Sequence, residues 1–480
     1  MNTSKFGFQV LTDEEVHEIH VASLDLLHRC GMAVHEAKGL KLLRDAGAEV
    51  DFDKRIAKLP PRLVEDGIKK APREFILGGR TTDHDVHVGH GKAAFRVPAG
   101  PTYFIDKESG TWREATKKDL EDSARLLNAL NEIDYTGCMI LPSDAPPETR
   151  DIHATEVLLE NTEKHVTTVP FTSRSLNSLV RFSKLLSKDE SDRRNRPRLS
   201  VFVAPTSPLQ LSEEATKLLI GCAENGIPIN MVSMAVPGGT TPATLAGSLM
   251  LSHAEMMTGI LMAQIVQPGL PIVYGSRVTP LNPRSGVTTL GAIEVGLASA
   301  ALARIGHHVG LPVDSHGLNT DSKVLDQQSG FERSLNAVIP LLAGADIISG
   351  CGEIESHLTL SLEQLVIDNE IIGMMRRVMR GIEVSAETLA SDVIARIGPG
   401  GYFLPEKHTR EHFRKEYFIP SIIERDSRTM WAKMGSTDIV KRARDKAKGI
   451  LEKQEAPPYD KDTICGLRQV VDDAQEANCT

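Results

Sequence analysis

Three short apolar runs near the middle of the chain each end in polar side chains able to hold charge. LPIVYGSRVTP ends in Tyr274 and Arg277, LPVDSHG in His316, and ADIISGCGEIESH in Glu353, Glu355 and His357. A carboxylate there would attract a cation, and an imidazole or guanidinium would hydrogen-bond an anionic group. His316 stands between Ser315 and Gly317, at the end of its run, where a binding residue belongs. Tyr274 reads two ways: a core tyrosine with a satisfied hydroxyl, or a ring converging with His316. Asp321 and Lys323 read as capping and surface residues. Glu363 suits the first turn of a helix, where a carboxylate favours the dipole.

Aromatic rings lie nearby. PAGPTYFID presents Tyr103 and Phe104 after two prolines and a glycine. These rings either plug the core beneath a surface turn or wall a binding site. Phe331 opens the helical run after DQQSG. A cation with no N–H to donate can be held only by ring quadrupoles, dispersion and carboxylate charge. GPGGYFLPEKHT, with Tyr402 and Phe403, reads as a lid, a partner-docking surface or a plain connector. No H-E-x-x-H, Cys/His cluster, P-loop or GxGxxG is present, so no bound metal is expected.

The elements that must position these residues follow a regular alternation. Strand-like runs DYTGCMIL, HVTTVPF, RLSVFVAP, IPINMVSMAV, LPIVYGS, LPVDSHG and ADIISG are mostly separated by helix-length segments. That gives seven β/α units between about 134 and 380. The polar residues follow the strands, as at the C-terminal face of a barrel. The expected fold is α/β: a (β/α)8 TIM-type barrel with an N-terminal helical and β layer and a C-terminal helical extension. The missing strand lies either in Ala93 to Val97 or beyond Gly381; an open doubly wound sheet is the alternative. The boundaries expected are 1–132 for the N-terminal cap, 133–385 for the barrel and 386–480 for the C-terminal loop and helices. The first helix starts at Thr12, an N-cap with Glu15 three residues on.

Composition agrees with a cytoplasmic protein. The 480 residues carry a formal charge of −9 and are 41% hydrophobic, which argues against bulk nucleic-acid or anionic-membrane binding. Six scattered cysteines form no C-x-x-C and read as reduced thiols. No signal-peptide core opens the chain. The most apolar helix, about 244–266, carries His253, Glu255 and Gln264 and reads as a buried barrel helix, not a membrane span.

The stretches LTDEEVHEIHVASLDLLHRCGMAVHEAKGLKLLRDAGAEVD, TDSKVLDQQSGFE, ESHLTLSLEQLVIDNE and GPGGYFLPEKHT, with the GPT of PAGPTYFID, carry a resemblance over about residues 10–450. The chain resembles the trimethylamine methyltransferase superfamily. The resemblance implies a β/α barrel that moves a methyl group from an amine to the Co(I) of a separate corrinoid protein. The founding trimethylamine enzymes carry pyrrolysine; no unusual residue stands here, so the resemblance is to the pyrrolysine-free branch. Members of that branch demethylate quaternary amines such as glycine betaine, proline betaine and carnitine, and glycine betaine is the first expectation. DSHGLN departs from the D-x-H-x-x-G of corrinoid-binding modules at Asn319, so cobalamin is expected on the partner and not on this chain.

On that reading Tyr103, Phe104, Tyr274 and Phe331 are cage candidates, with Glu353 or Glu355 for charge. His316, Arg277 and His357 are candidates to anchor a substrate carboxylate. No catalytic residue is singled out, because displacement at a quaternary nitrogen asks for positioning. The partners expected are a small quaternary amine, a corrinoid protein and further copies of the chain, with no nucleic acid or membrane. The alternatives are a betaine-binding or regulatory barrel, or a carboxylate-dependent hydrolase or lyase using Glu353, Glu355 and His316.

Overall fold

In the computed structural model, which describes residues 7–479 apart from 90, 99, 107–108 and 454–458, eight strands close into a parallel barrel. They are β1 (Ala94–Val97), β2 (Tyr135–Thr136), β3 (Val166–Thr168), β4 (Leu199–Val203), β5 (Ile229–Ala235), β6 (Ile272–Val278), β7 (Val313–His316) and β8 (Ile347–Ser349). Each is followed by a helix, from Lys117–Asn128 after β1 to Leu362–Arg380 after β8. The strand that the alternation leaves unplaced is therefore Ala94–Val97. It pairs with β8 through Ala94 and Ile347 and with β2 through Arg96 and Tyr135. The barrel begins inside the segment assigned to the cap. Its first strand is hard to see in sequence because it is four residues long and carries a buried arginine.

The first helix, Asp13–Arg29, starts as expected. Thr12 Oγ1 accepts from Glu15 N–H at 3.2 Å, and the Glu15 carboxylate accepts from Thr12 N–H at 2.8 Å. This helix and Pro61–Ile68 pack on Leu245–Val266. Leu245–Val266 is apolar all round because it is enclosed by those helices and by β5 and β6. By length and composition it could cross a membrane; here it is a core helix.

A hairpin, Phe75–Leu77 with Val86–Val88, closes one end of the barrel. Its Leu77, Val86 and Val88 pack with Ala94, Tyr135, Val273 and Ile347, all at or near the N-terminal ends of their strands. His165 seals the plug, placing Nδ1 3.2 Å from Gly78 O and Nε2 2.7 Å from Ser200 Oγ. Burial pushes its imidazole down to about 4, so it sits there neutral.

Late in the chain, Ile439–Leu451 packs on Leu362–Arg380, and Lys461–Cys479 packs on Leu176–Leu185 and Arg150–Asn161. Between Leu362–Arg380 and Ile439–Leu451, the helices Ala386–Leu389, Ser391–Ile397 and Lys407–Glu416 contain no buried residue. Tyr402, Phe403, Leu404, Phe413 and Tyr417 are exposed along this stretch. Cys30, Cys138, Cys222, Cys351 and Cys465 are free thiols.

Register decides which way β6 points its side chains. Gly275 pairs with Asp314 and Arg277 with Met234. Arg277 and Asp314 meet inside the barrel at 3.0 Å, so residue 275 also faces the axis. Tyr274 must then face out. It is fully buried, with its hydroxyl 3.0 Å from His253 Nδ1 on the core helix. The convergence of Tyr274 with His316 is therefore corrected: a period-two strand cannot turn both Tyr274 and Arg277 to the axis. Tyr274→Phe should cost about 1 kcal/mol of stability through the lost hydrogen bond. It should leave ligand binding unchanged, as checked by urea denaturation and calorimetry on the same variant.

Candidate functional site

A buried ion cluster spans the barrel. Asp314 Oδ2 on β7 accepts from Arg96 Nε at 3.1 Å and Nη2 at 2.6 Å on β1, and from Asn230 Nδ2 at 2.6 Å on β5. Asp314 Oδ1 lies 3.0 Å from Arg277 Nη2 on β6. Arg277 Nη1 also donates to Ser276 O at 3.0 Å and to Asp314 O at 2.8 Å. Burial opposes ionisation of Asp314, but Arg277 and Arg96 outweigh it and hold the carboxyl below its ordinary range. Two guanidiniums thus share one carboxylate, and the cluster keeps net positive charge. The Arg96 guanidinium also lies 4.7 Å from the centre of the half-buried Phe202 ring.

Gly275 makes room for this arrangement. A Cβ there would lie 2.6 Å from Asn230 Oδ1. The requirement is space, not a special backbone angle.

A second group joins at the C-terminal ends of β7 and β8. His316 Nε2 lies 3.3 Å from His357 Nε2, and His357 Nδ1 lies against the Glu353 carboxylate. His316 is buried, and its Nδ1 has no hydrogen-bond partner among the described residues. Glu353 Oε1 is likewise buried without one. Burial raises the Glu353 carboxyl above its usual range, with His357 pulling the other way. Burial, then Arg277 and His357, keep His316 well below the usual imidazole range.

The turn that carries His357 is strained. Glu355, Ser356 and His357 have φ of 57°, 51° and 77°. Each non-glycine residue held there costs about 1–2 kcal/mol. Neighbouring loops hold the turn down. Glu355 N–H donates to Ser322 O and Ser356 N–H to Thr320 O, both at 2.9 Å. Ser356 Oγ donates to Asp321, which also accepts from Leu290 N–H at 2.8 Å and Gly291 N–H at 3.0 Å. Asp321 is thus the tie between the loops after β6, β7 and β8, not a plain cap. Lys323 is exposed, as expected for a surface residue.

Arg333 and Asp368 support the same loops from behind. Arg333 Nη1 donates to Leu318 O, to Gly350 O at 3.1 Å and to Asp368 Oδ2 at 2.9 Å; Gly352 N–H donates to Asp368 at 2.6 Å. Burial pushes the Asp368 carboxyl up to about 6, against the pull of Arg333. Glu363, read as a dipole residue, accepts from Ser361 Oγ at 2.9 Å and Arg444 Nε at 2.8 Å.

The loops after β1 and β8 zip together. Tyr103–Ile105 pairs with Thr359–Leu360 and Trp112–Glu114, and Thr359–Leu360 pairs with Glu353–Ile354. Tyr103 stacks on Trp112, centroids 4.0 Å apart. Thr359 Oγ1 accepts from Trp112 Nε1 at 3.1 Å and donates to Glu355 at 3.0 Å. Glu355 therefore belongs with Tyr103, not with Glu353. Phe104 is buried on the opposite face of this sheet, and Phe331 is 57% exposed on an outer helix. The four expected rings are not brought together. Strand alternation separates Phe104 from Tyr103 and turns Tyr274 outward, while Phe331 sits on the solvent side of its helix.

The structure does bring together Arg277, His316, Glu353 and His357. Sequence reading missed Arg96, Asn230, Phe202 and Asp314. Asp314 was within reach, because it stands two residues before His316 and so shares its strand face. Among the described residues no three His, Cys, Asp or Glu side chains are grouped as metal ligands. The arrangement sets the Glu353 carboxylate beside His357, and the guanidiniums of Arg277 and Arg96 toward His316.

A family model described as trimethylamine methyltransferase matches residues 3–478. Trimethylamine methyltransferase MttB of Desulfitobacterium hafniense is 32% identical over 471 residues, covering 98% of this chain and 95% of that one. A glycine betaine methyltransferase of the same species is 30% identical over 428 residues, covering 89% of each. Among solved structures, monomethylamine methyltransferase of Methanosarcina barkeri aligns over 94% of this chain and 89% of that one, with a TM-score of 0.51 and 14% identity, a likeness of fold.

Gly275→Ala should displace Asn230 and cost about 1–3 kcal/mol. Asn230→Ala should cost stability too, and Gly275→Ala on that background should cost less than it does alone, because the Asn230 contact is gone while those to Met231 O at 2.9 Å and Val232 Cγ2 at 3.0 Å remain. A denaturation double-mutant cycle reads the coupling.

Proposed function

The chain belongs to the trimethylamine methyltransferase family, and on that premise we propose that it moves a methyl group from a quaternary amine to the Co(I) of a separate corrinoid protein. Glycine betaine is the first candidate donor. The observation that carries the reading is the pairing of opposite charges at one end of the barrel. Glu353 offers a buried carboxylate with an open oxygen, and Arg96 and Arg277 outnumber Asp314 in the adjoining cluster. Trimethylamine has no anionic end to use that surplus; a betaine does.

The chemistry asks for placement. A quaternary nitrogen carries its full charge in the ground state and leaves as a neutral tertiary amine, so departure needs no proton. The reduced corrinoid supplies the nucleophile when its protein docks. This chain's task is to fix one methyl carbon in line with that approach, which lowers the barrier through orientation. Glu353 holds the onium electrostatically, and Arg277 with His316 holds the carboxylate. The sheet formed by the loops after β1 and β8 limits water, which strengthens both contacts. Tyr103 remains a candidate wall for the onium head, beside Trp112. Self-association belongs to the same reading, resting on the exposed apolar side chains along residues 382–419.

One observation favours a second reading, the Glu353–His357–His316 chain, which resembles acid–base apparatus. The two separate in one assay. The protein is supplied with a Co(I) corrinoid protein and a panel of methylated amines, and methyl-Co(III) formation is followed by absorbance. Betaine-dependent formation is expected. Arg277→Met should reduce kcat/KM by about 30-fold or more, the scale of truncating one partner of a buried charge pair. Methyl transfer from trimethylamine and from no betaine would overturn the donor assignment. Substrate turnover without any corrinoid would favour the acid–base reading.

A further inference from the structure

The open nitrogen of His316 can face a ligand either as a donor or as an acceptor, and the chain behind it decides which. Consider first the chain with Glu353 ionised and both imidazoles neutral. His357 Nδ1 lies against the Glu353 carboxylate, so in this state the His357 proton belongs on Nδ1, and His357 Nε2 is a lone pair that accepts from His316 Nε2–H. His316 Nδ1 is then a bare acceptor. It is buried, has no partner among the described residues and would repel a carboxylate.

Add one proton. If it rests on His357, Nε2–H now donates to His316 Nε2, and the His316 proton moves to Nδ1. If it rests on Glu353 instead, the carboxyl donates to His357 Nδ1 and His357 again carries Nε2–H. Both placements give the same output: His316 Nδ1 becomes an N–H donor. His316 itself stays neutral throughout.

We propose that His357 is a positioning residue, and that binding of a carboxylate-bearing ligand at His316 takes up one proton into the Glu353–His357 pair. That proton rests on His357 when the ligand's cation faces Glu353, so the carboxylate that holds the onium stays ionised. The pair can exchange that proton because His357 keeps a side-chain exposure of 20% while His316 is sealed. The surroundings keep the added charge off His316. Arg277 from β6 and Arg96 from β1 both face it, while Arg333 from the helix after β7 and Arg96 face Glu353. Asp314 shares the strand of His316 but is paired with Arg96, Asn230 and Arg277. Glu355, on the turn of His357, is engaged by Thr359. The ligand part of this inference rests on the betaine reading; the tautomer part does not.

The sign follows from linkage. The proton is bound in the complex and lost from the free protein as pH rises through the apparent pKa of the free pair. Above that pKa the Kd for a carboxylate ligand should rise by up to tenfold per pH unit; below it the Kd should be flat. The test is titration calorimetry of the full chain with glycine betaine, at several pH values and in two buffers of different ionisation enthalpy. Uptake approaching one proton per ligand is expected on the alkaline side. His357→Gln should abolish the uptake and flatten the pH profile. Betaine binding without proton uptake would overturn the proposal and leave the methyl-transfer reading intact. Absence of betaine binding would overturn that reading, and nitrogen NMR of the ligand-free, 15N-histidine-labelled chain still decides the tautomer. One signal, absent in His316→Asn, should change from a bare to a protonated ring nitrogen as pH falls, and should not do so in His357→Gln. A single His316 tautomer at every pH would overturn it outright.

Discussion

The buried carboxylate of Asp314 is the constraint around which the barrel interior is arranged. Four strands, β1, β5, β6 and β7, each contribute a side chain to one ion cluster. A charge so deep is tolerated only when it is paired with opposite charge, and losing one partner leaves another charge stranded. The cluster therefore specifies register. A shift of one residue on β7 would replace Asp314 by Val313 or Ser315 on the axis and leave two guanidiniums without a counter-ion. What the cluster contributes is less net stability than a single permitted alignment of strands, which in turn fixes where His316 stands.

The alternation of apolar runs and helices was legible because parallel strands buried on both faces show as short continuous runs. Seven of the eight strands could be read that way. Ala94–Val97 could be named only as one option, because Arg96 interrupts the pattern that marks a buried strand. The charge that hides the strand is the one that builds the site. At the site, His316, Arg277, Glu353 and His357 were legible from position at strand ends. Tyr274 and Phe331 were misplaced for want of facing: a sequence shows that a residue ends a strand, but only register says which side it takes. Glu355 shows the same limit at a turn, where a left-handed backbone swings its carboxylate to Thr359 and away from Glu353.

The loops form a second level of organisation. Strain in the turn at 355–357 is offset by hydrogen bonds to Thr320, Asp321 and Ser322, and those loops are braced by Arg333 and Asp368. This bracing explains how a buried histidine with an unpartnered nitrogen is kept facing the axis. A polar atom left unsatisfied in a mobile loop would swing to water, whereas here the backbone on both sides is tied.

The hairpin across the barrel floor has a consequence for the order of events. It walls the floor of the barrel with Leu77, Val86 and Val88, so that end is packed with side chains. On the proposed reading, amine and methyl acceptor would then have to approach from the opposite face, where His316 and Glu353 stand. If that reading holds, the small molecule would be seated before the large one covers it, and the spent amine would leave after the acceptor protein. The packed floor would then impose an order of arrivals and departures.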